Sequence, residues 1–459
     1  MEKSELAKNI LMTATPLVSA ITEIFVKPKL ADIAKGLKLK VNKIESIFED
    51  KFNEYLTRSY EKYSIMNTIV FHNQQRLLKD LYIPLTLENT DQEQFTIDRF
   101  DKNFLPVYER ILITDTAGMG KSTLLKKIFL SVIDEAVGIP ILVELRRISK
   151  SKDIIQEIMD QINSISKDLD KDFILRLIQQ GNFVFLFDGY DEIPTENRVE
   201  ATEQIQKFIN KAGKNLFILT SRPESALSAF GDFKGFSVKP LAKNQAFDLL
   251  RRYDGNGNLS KELIKKLQGK TYNNIDEFIT NPLLVSLLFA AFEHKHTIPI
   301  KKHIFYRQVY DALFESHDLT KGDSFAREKF CKLDVDEFHR VLRHIGYNCL
   351  IKGKIEFTKD EILDLIKDAK TYVSGISFKE SDLLKDLIST VPLFTIDGIY
   401  YKWSHKSLQE YFAAQFIFLD SKEKQRDILL KIYKHENAIK FINVLDLYYS
   451  IDYRSFSET

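Results

Sequence analysis

The chain has 459 residues, 66 Lys and Arg against 65 Asp and Glu, and 44% hydrophobic residues. Such a balance excludes a disordered, collagen-like or fibrous protein, and at about 100 to 200 residues per domain the length predicts more than one domain. A net charge of +1 supplies no global field to draw nucleic acid or an anionic membrane, and two cysteines, Cys331 and Cys349, exclude a disulfide scaffold and fit a reducing, cytoplasmic setting.

Residues 1–100 carry helical periodicity, as at Val41, Ile44, Ile47 and Phe48, and hold a single glycine, Gly36. This pattern predicts an all-helical N-terminal region. The uncharged run Asn9 to Thr22 is broken by Pro16 and is shorter than the roughly 20 apolar residues of a bilayer helix, so no membrane span is expected. Lysines are concentrated between Lys27 and Lys43; a solvated helix face accounts for them, with a nucleic-acid or membrane patch as the lesser alternative. Asp32 with Glu49-Asp-Lys51 weakly matches a metal-dependent nuclease triad, but these residues lie in helical periodicity without the strands such a site requires.

From Arg110 the pattern changes. ILIT at 111–114, IPILVEL at 139–145, NFVFLF at 182–187, NLFILT at 215–220 and GFSV at 235–238 are short apolar runs separated by helical stretches, which predicts an α/β core with a parallel sheet over 101–240. Amphipathic helices follow. We divide them into a helical domain over 241–300 and a further domain over 301–420, where VPLFTIDGIYYKWS reads as a hairpin turning at Asp397-Gly398 and then a helix to Leu419. Helices followed by such a hairpin suggest a winged helix. Residues 421–459 read as a short C-terminal helical segment, and no repeat of solenoid length is evident.

The chemistry-bearing signal is Asp115-Thr116-Ala117-Gly118-Met119-Gly120-Lys121-Ser122-Thr123, placed between the strand ILIT and a helical run. A phosphate-binding loop requires that context: glycines let backbone N–H groups approach phosphate oxygens, and the helix N-terminus turns its positive end towards them. Lys121 is positioned to neutralise β- and γ-phosphates, and Ser122 to offer a hydroxyl to Mg²⁺, with Thr123 as the less suited neighbour. Asp115 stands where the strict pattern has glycine. Sixty-seven residues after Lys121, the run ending at Phe187 opens into Asp188-Gly-Tyr-Asp191-Glu192. Asp188 suits the Mg²⁺ shell, and Asp191 and Glu192 suit the orientation of an attacking water. Arg222, in Thr220-Ser-Arg-Pro223 after the next strand, suits contact with a γ-phosphate.

Assembled, these residues resemble the NACHT family of STAND-class signalling ATPases, a group that includes animal inflammasome receptors and bacterial antiphage proteins. The resemblance runs in order through ILITDTAGMGKSTLL, IPILVELRRI, LFDGYDEIP, ILTSRP, NPLLVSLL and KWSHKSLQEYFAAQF, over about residues 100–420. It implies an ATP- and ADP-binding switch with Mg²⁺, slow hydrolysis, an ADP-bound resting form, self-association on activation, and a trigger of phage origin. It further implies that Pro282 packs against adenine and that His405 reaches the β-phosphate of ADP. The competing reading is a DNA-binding regulator whose winged helix reads base edges. Against it, HKSLQEYFAAQFIFL has an apolar second half and few of the side chains that contact bases.

Overall fold

The computed structural model describes residues 3–36, 41–66, 75–115, 118–163, 171–269, 279–299, 301–319, 329–397 and 399–458. Its backbone divides into two compact units, one of residues 1–67 with 73–240, the other of 68–72 with 241–459.

The first unit is built on a seven-stranded sheet: β1 (Leu85–Glu88), β2 (Gln94–Ile97), β3 (Arg110–Thr114), β4 (Ile139–Glu144), β5 (Phe183–Asp188), β6 (Leu216–Ser221) and β7 (Lys234–Val238). Their spatial order is β2-β1-β7-β3-β6-β5-β4. The strands from β7 to β4 are parallel, in the register Ile111↔Ile218, Ile113↔Phe236, Phe185↔Phe217 and Glu144↔Asp188. Phe183 to Phe187 are all buried, because crossover helices cover both faces of a parallel sheet and leave no side for water. Phe185 stacks on Phe217 with ring centroids 5.3 Å apart, and Phe208, from the helix Arg198–Lys211, meets Phe185 edge-on at 5.0 Å.

All five expected core strands are present, but the N-terminal region is not all-helical. Residues 85–97 form an antiparallel hairpin, with Leu85 opposite Ile97 and Leu87 opposite Phe95, and β1 pairs with β7 through Leu87 and Val238. Leu85 and Leu87 are buried while Thr86 and Glu88 are less so; this period of two places one face on the core. The long helices end at Ser64, and among the described residues only the single turn Leu78–Leu81 follows before the hairpin. They comprise Lys3–Ile21, a π-helical turn Thr22–Val26, Lys27–Gly36 and Val41–Ser64. Leu6, Ile10, Ala14 and Val18 are buried at four-residue spacing, the signature of one inward helix face. Tyr55 donates to the carbonyl of Pro140 at 3.1 Å and Tyr60 to the Asp134 carboxylate at 2.7 Å, which ties the helix Val41–Ser64 to the sheet unit.

The break expected at Pro16 is corrected. The helical path does not stop at Pro16: the π-turn carries it on, and Leu6–Ile33 is 28 residues long and apolar enough, by length and composition alone, to cross a bilayer. About a third of its most apolar stretch is buried within the protein.

The second unit is mainly helical, with a three-stranded antiparallel sheet of β8 (Glu356–Phe357), β9 (Phe394–Asp397) and β10 (Tyr400–Trp403) in the order β8-β10-β9. The hairpin β9–β10 falls where Asp397-Gly398 predicts it, although Gly398 itself lies outside the described residues. Helix starts follow local sequence. Asp334 and Glu337 form a reciprocal capping box, as do Thr358 and Glu361, each pair satisfying backbone N–H groups that a first helical turn leaves unpaired. Gly346 permits the helices Val335–Lys352 and Lys406–Leu419 to cross closely: a Cβ there would lie 2.8 Å from Phe412 Cβ and 2.9 Å from the Gln409 carbonyl. Both cysteines are buried and unbridged.

Candidate functional site

The site lies at the carboxyl edge of the parallel strands, where open α/β sheets hold ligands. At the end of β3 the chain enters the glycine loop, and Gly118 and Gly120 take φ values of +83° and +86°. Side-chain-bearing residues resist that left-handed region, so both glycines are conformationally required. Gly120 caps the helix Lys121–Asp134, accepting from Leu124 N–H at 2.8 Å. Met119 is buried beneath the turn, whereas Thr116 and Ala117 lie outside the described residues.

Asp115 has a role the missing glycine could not fill. Its backbone N–H donates to the carbonyl of Ser221 at 3.2 Å, and its carboxylate accepts from the Val238 N–H at 3.0 Å. The first loop residue therefore bonds both neighbouring strands, β6 and β7. Lys121 Nζ donates to the Asp115 carbonyl at 2.7 Å, which curls the side chain back over its own loop. Burial pushes the Lys121 ammonium down to about 8; Asp191 most strongly opposes this, Arg222 adds to it, and Asp115 and Asp188 oppose it further.

Ser122 and Asp188 come together. Ser122 Oγ donates to Asp188 Oδ1 at 3.0 Å, and Thr220 Oγ1 donates to the same oxygen at 2.7 Å. Adjacent oxygens of an octahedral Mg²⁺ shell, with bonds of about 2.0–2.1 Å, stand about 2.9 Å apart, so this oxygen pair has the spacing that ion requires. Thr123 makes no such bond to Asp188 among the described residues.

The two carboxylates after Gly189 occupy different environments. Asp191 is buried, accepts from the Arg222 backbone N–H at 3.0 Å, and has its other oxygen 3.4 Å from Arg222 Nε. Glu192 is partly exposed and accepts from Arg146 Nη1 at 2.9 Å, while Arg146 Nη2 donates to Glu144 at 2.6 Å. Glu192 is thus the carboxylate open to water, and Asp191 is the anchor of Arg222.

Two arginines carry roles that sequence reasoning missed. Arg146 links the ends of β4 and β5 by bonding Glu144 and Glu192. Arg198, buried, donates to the carbonyls of Asp191 at 3.2 Å and Ile193 at 2.8 Å and pairs with Glu224 at 2.9 Å, fixing the acidic turn from behind. LRRI after β4 was visible as a pattern, but nothing in it named Glu192 as partner.

Pro282 and His405 belong to the second unit. Pro282 is the first residue of the helix Pro282–Lys295, whose cap Asn281 accepts from Leu284 N–H at 2.8 Å. His405 caps the helix Lys406–Leu419: its Nδ1 accepts from the Ser407 N–H at 3.2 Å. Each begins a helix, as proline and a short-range acceptor commonly do.

Strand, glycine loop, lysine at a helix start and strand-end carboxylate are now in one place. Residues 109–256 match the NACHT domain. That match identifies this stretch as similar to a P-loop NTPase module and spans β3 to β7, the part of the chain that carries the site. No curated protein matches the sequence. Among solved structures, the Walker-type ATPase of Pyrococcus abyssi is similar at 15% identity and TM-score 0.32, covering 73% of this chain and 99% of that one. Cdc6p from Pyrobaculum aerophilum is similar at 13% identity and TM-score 0.28, covering 66% and 87%. The Aeropyrum pernix ORC2 protein, determined as ADPNP-ADP complexes, is similar at 12% identity and TM-score 0.30, covering 68% and 89%.

Proposed function

We propose that the chain is a nucleotide-dependent switch that binds ATP and ADP with Mg²⁺ and hydrolyses ATP slowly. The observation that carries this reading is the Ser122–Asp188 contact of 3.0 Å beside the Lys121 ammonium, at the mouth of a helix N-terminus. Ser122 and Asp188 would hold the ion, which supplies charge neutralisation on the phosphate oxygens. Lys121, the loop N–H groups and the helix start bind and orient the phosphate tail. Glu192, open to solvent, orients water, and Arg146 sets its position. Arg222, anchored by Asp191, contacts the terminal phosphate.

The same reading assigns Pro282 to adenine and His405 to the β-phosphate of ADP, on the family resemblance. The β8–β10 region with its flanking helices then acts as a winged helix that closes over ADP at rest. ATP or a trigger must favour the open form, since a ligand of equal affinity for both forms shifts nothing. Self-association on opening, a trigger of phage origin, a role in bacterial antiviral defence and a cytoplasmic location complete the proposal. Purified protein is expected to release ADP on denaturation, and Lys121→Ala is expected to purify empty and inactive. A Lys121→Ala variant with full nucleotide occupancy and wild-type activity would remove the reading.

The DNA-reader alternative has no observation in its favour. In the helix Lys406–Leu419, Gln409 and Glu410 are buried and Ser407 to Ala414 pack inside the second unit, which leaves Lys406 and Gln415 as its only incompletely buried side chains of the kind that contacts base edges.

A further inference from the structure

The helices Lys302–Leu319, Val335–Lys352 and Lys406–Leu419 of the second unit line an open cavity of about 420 Å³. That volume falls within the range of small-molecule sites. Its floor is the buried pair His339 and Tyr411, with the imidazole Nε2 3.2 Å from the phenol oxygen. Three guanidinium groups line it: Arg307, Arg340 and Arg343.

Two of these are already paired. Arg343 forks onto Asp420 through Nε at 2.6 Å and Nη2 at 3.0 Å and places Nη1 3.2 Å from His339 Nδ1. Arg307 donates to Asp311 at 2.8 Å and to Asp336 at 3.2 Å. Arg340 differs: among the described residues its guanidinium has neither a hydrogen-bond nor an ion-pair partner, and the same holds for the Gln415 amide. Burial first, then the charges of Arg343 and Arg307, hold His339 well below the ordinary imidazole range. Ile304 and Leu419 leave 41% and 48% of their surface exposed beside these polar groups.

We propose that this cavity binds a small organic anion, its carboxylate or phosphate received by Arg340 with Gln415 and its apolar body lying on Ile304 and Leu419. Guanidinium suits both oxyanions because its planar fork matches two acceptor oxygens at once. The site is separate from the glycine loop and stands or falls independently of the nucleotide reading, since every lining residue lies in the second unit.

Titration calorimetry on the full chain with phenyl phosphate, 3-phenylpropionate and neutral 3-phenylpropanol tests the assignment. At least one of the two anions is expected to bind saturably with Kd below about 1 mM, and the pair then tells which headgroup the cavity prefers. Arg340→Gln, a change at an exposed side chain, is expected to weaken that binding about tenfold or more, the effect of one lost charge-assisted contact. Asp336→Asn removes a competing carboxylate from Arg307 and is expected to tighten it. Lys121→Ala is expected to leave it unchanged, which separates the result from occupancy of the glycine loop. Equal binding of the alcohol, no effect of Arg340→Gln, or no saturable binding up to about 10 mM of either anion would overturn the proposal.

Discussion

Raising the pH from 7.5 to 9.0 should weaken ADP binding roughly eightfold, through one proton on Lys121. Burial lowers this ammonium to about 8 in the nucleotide-free protein, from an ordinary 10.5. Holding the charge there costs about 3 kcal/mol, at 1.36 kcal/mol per unit. Phosphate oxygens restore what burial removes, so the bound form keeps its proton throughout this range. Affinity then falls with the charged fraction of the free protein, about 0.76 at pH 7.5 and about 0.09 at pH 9.0. At pH 8.5, binding should take up about 0.75 proton per nucleotide, readable by calorimetry in two buffers of different ionisation enthalpy. Lys121→Arg, which does not titrate here, should show neither effect. The sign for stability is opposite to that of a salt-bridged lysine. Below about pH 8 the folded protein bears the full cost of the charge, and between about 8 and 10.5 the unfolded chain binds the extra proton, so stability rises with pH. From pH 7 to 9 this group contributes a gain of about 1 kcal/mol to the nucleotide-free protein. Constant affinity from pH 7.5 to 9.0, with no proton uptake, would refute the assignment of Lys121 to the phosphate tail.

Asp115→Gly restores the glycine of the strict loop pattern but strips the Val238 N–H of its 3.0 Å acceptor, so urea denaturation should show about 1 kcal/mol less stability. Unchanged stability would mean the contact is incidental. Glu192→Gln should retain ATP while lowering turnover about 100-fold, the usual size of a lost acid–base group. Asp191→Asn should lower both turnover and stability, because it releases Arg222. Gly346→Ala, which places a methyl 2.8 Å from Phe412 Cβ, should cost about 1–3 kcal/mol, measured by thermal unfolding.

The core strands were legible because a strand buried on both faces must be apolar at nearly every position, and Phe183 to Phe187 satisfy that without help from distant residues. Gly118 and Gly120 were legible for a different reason: only glycine readily takes their backbone angles. The hairpin of 85–97 was not read, although Leu85, Thr86, Leu87 and Glu88 alternate and Asn89 to Asp91 supply turn residues. Its strands are four residues each, too short to outweigh the helical period that precedes them. Likewise the helix through Leu6–Ile33 was cut short in the sequence because Pro16 reads as a breaker, whereas the fold absorbs it. Partnerships such as Arg146 with Glu192, Asp115 with Val238 and Arg198 with Glu224 join elements far apart in the chain. A local pattern can mark a residue as charged and turn-prone; which carboxylate it meets is decided by strand order.

The most direct test is the Mg²⁺ dependence of ATP binding in Asp188→Asn beside the wild type. Wild-type protein should bind ATP more tightly with Mg²⁺ than with a chelator, and Asp188→Asn should bind alike in both, with Lys121→Ala weakened in either. Full Mg²⁺ dependence in Asp188→Asn, or wild-type affinity in Lys121→Ala, would show that the strand edge does not hold the phosphate tail and its ion.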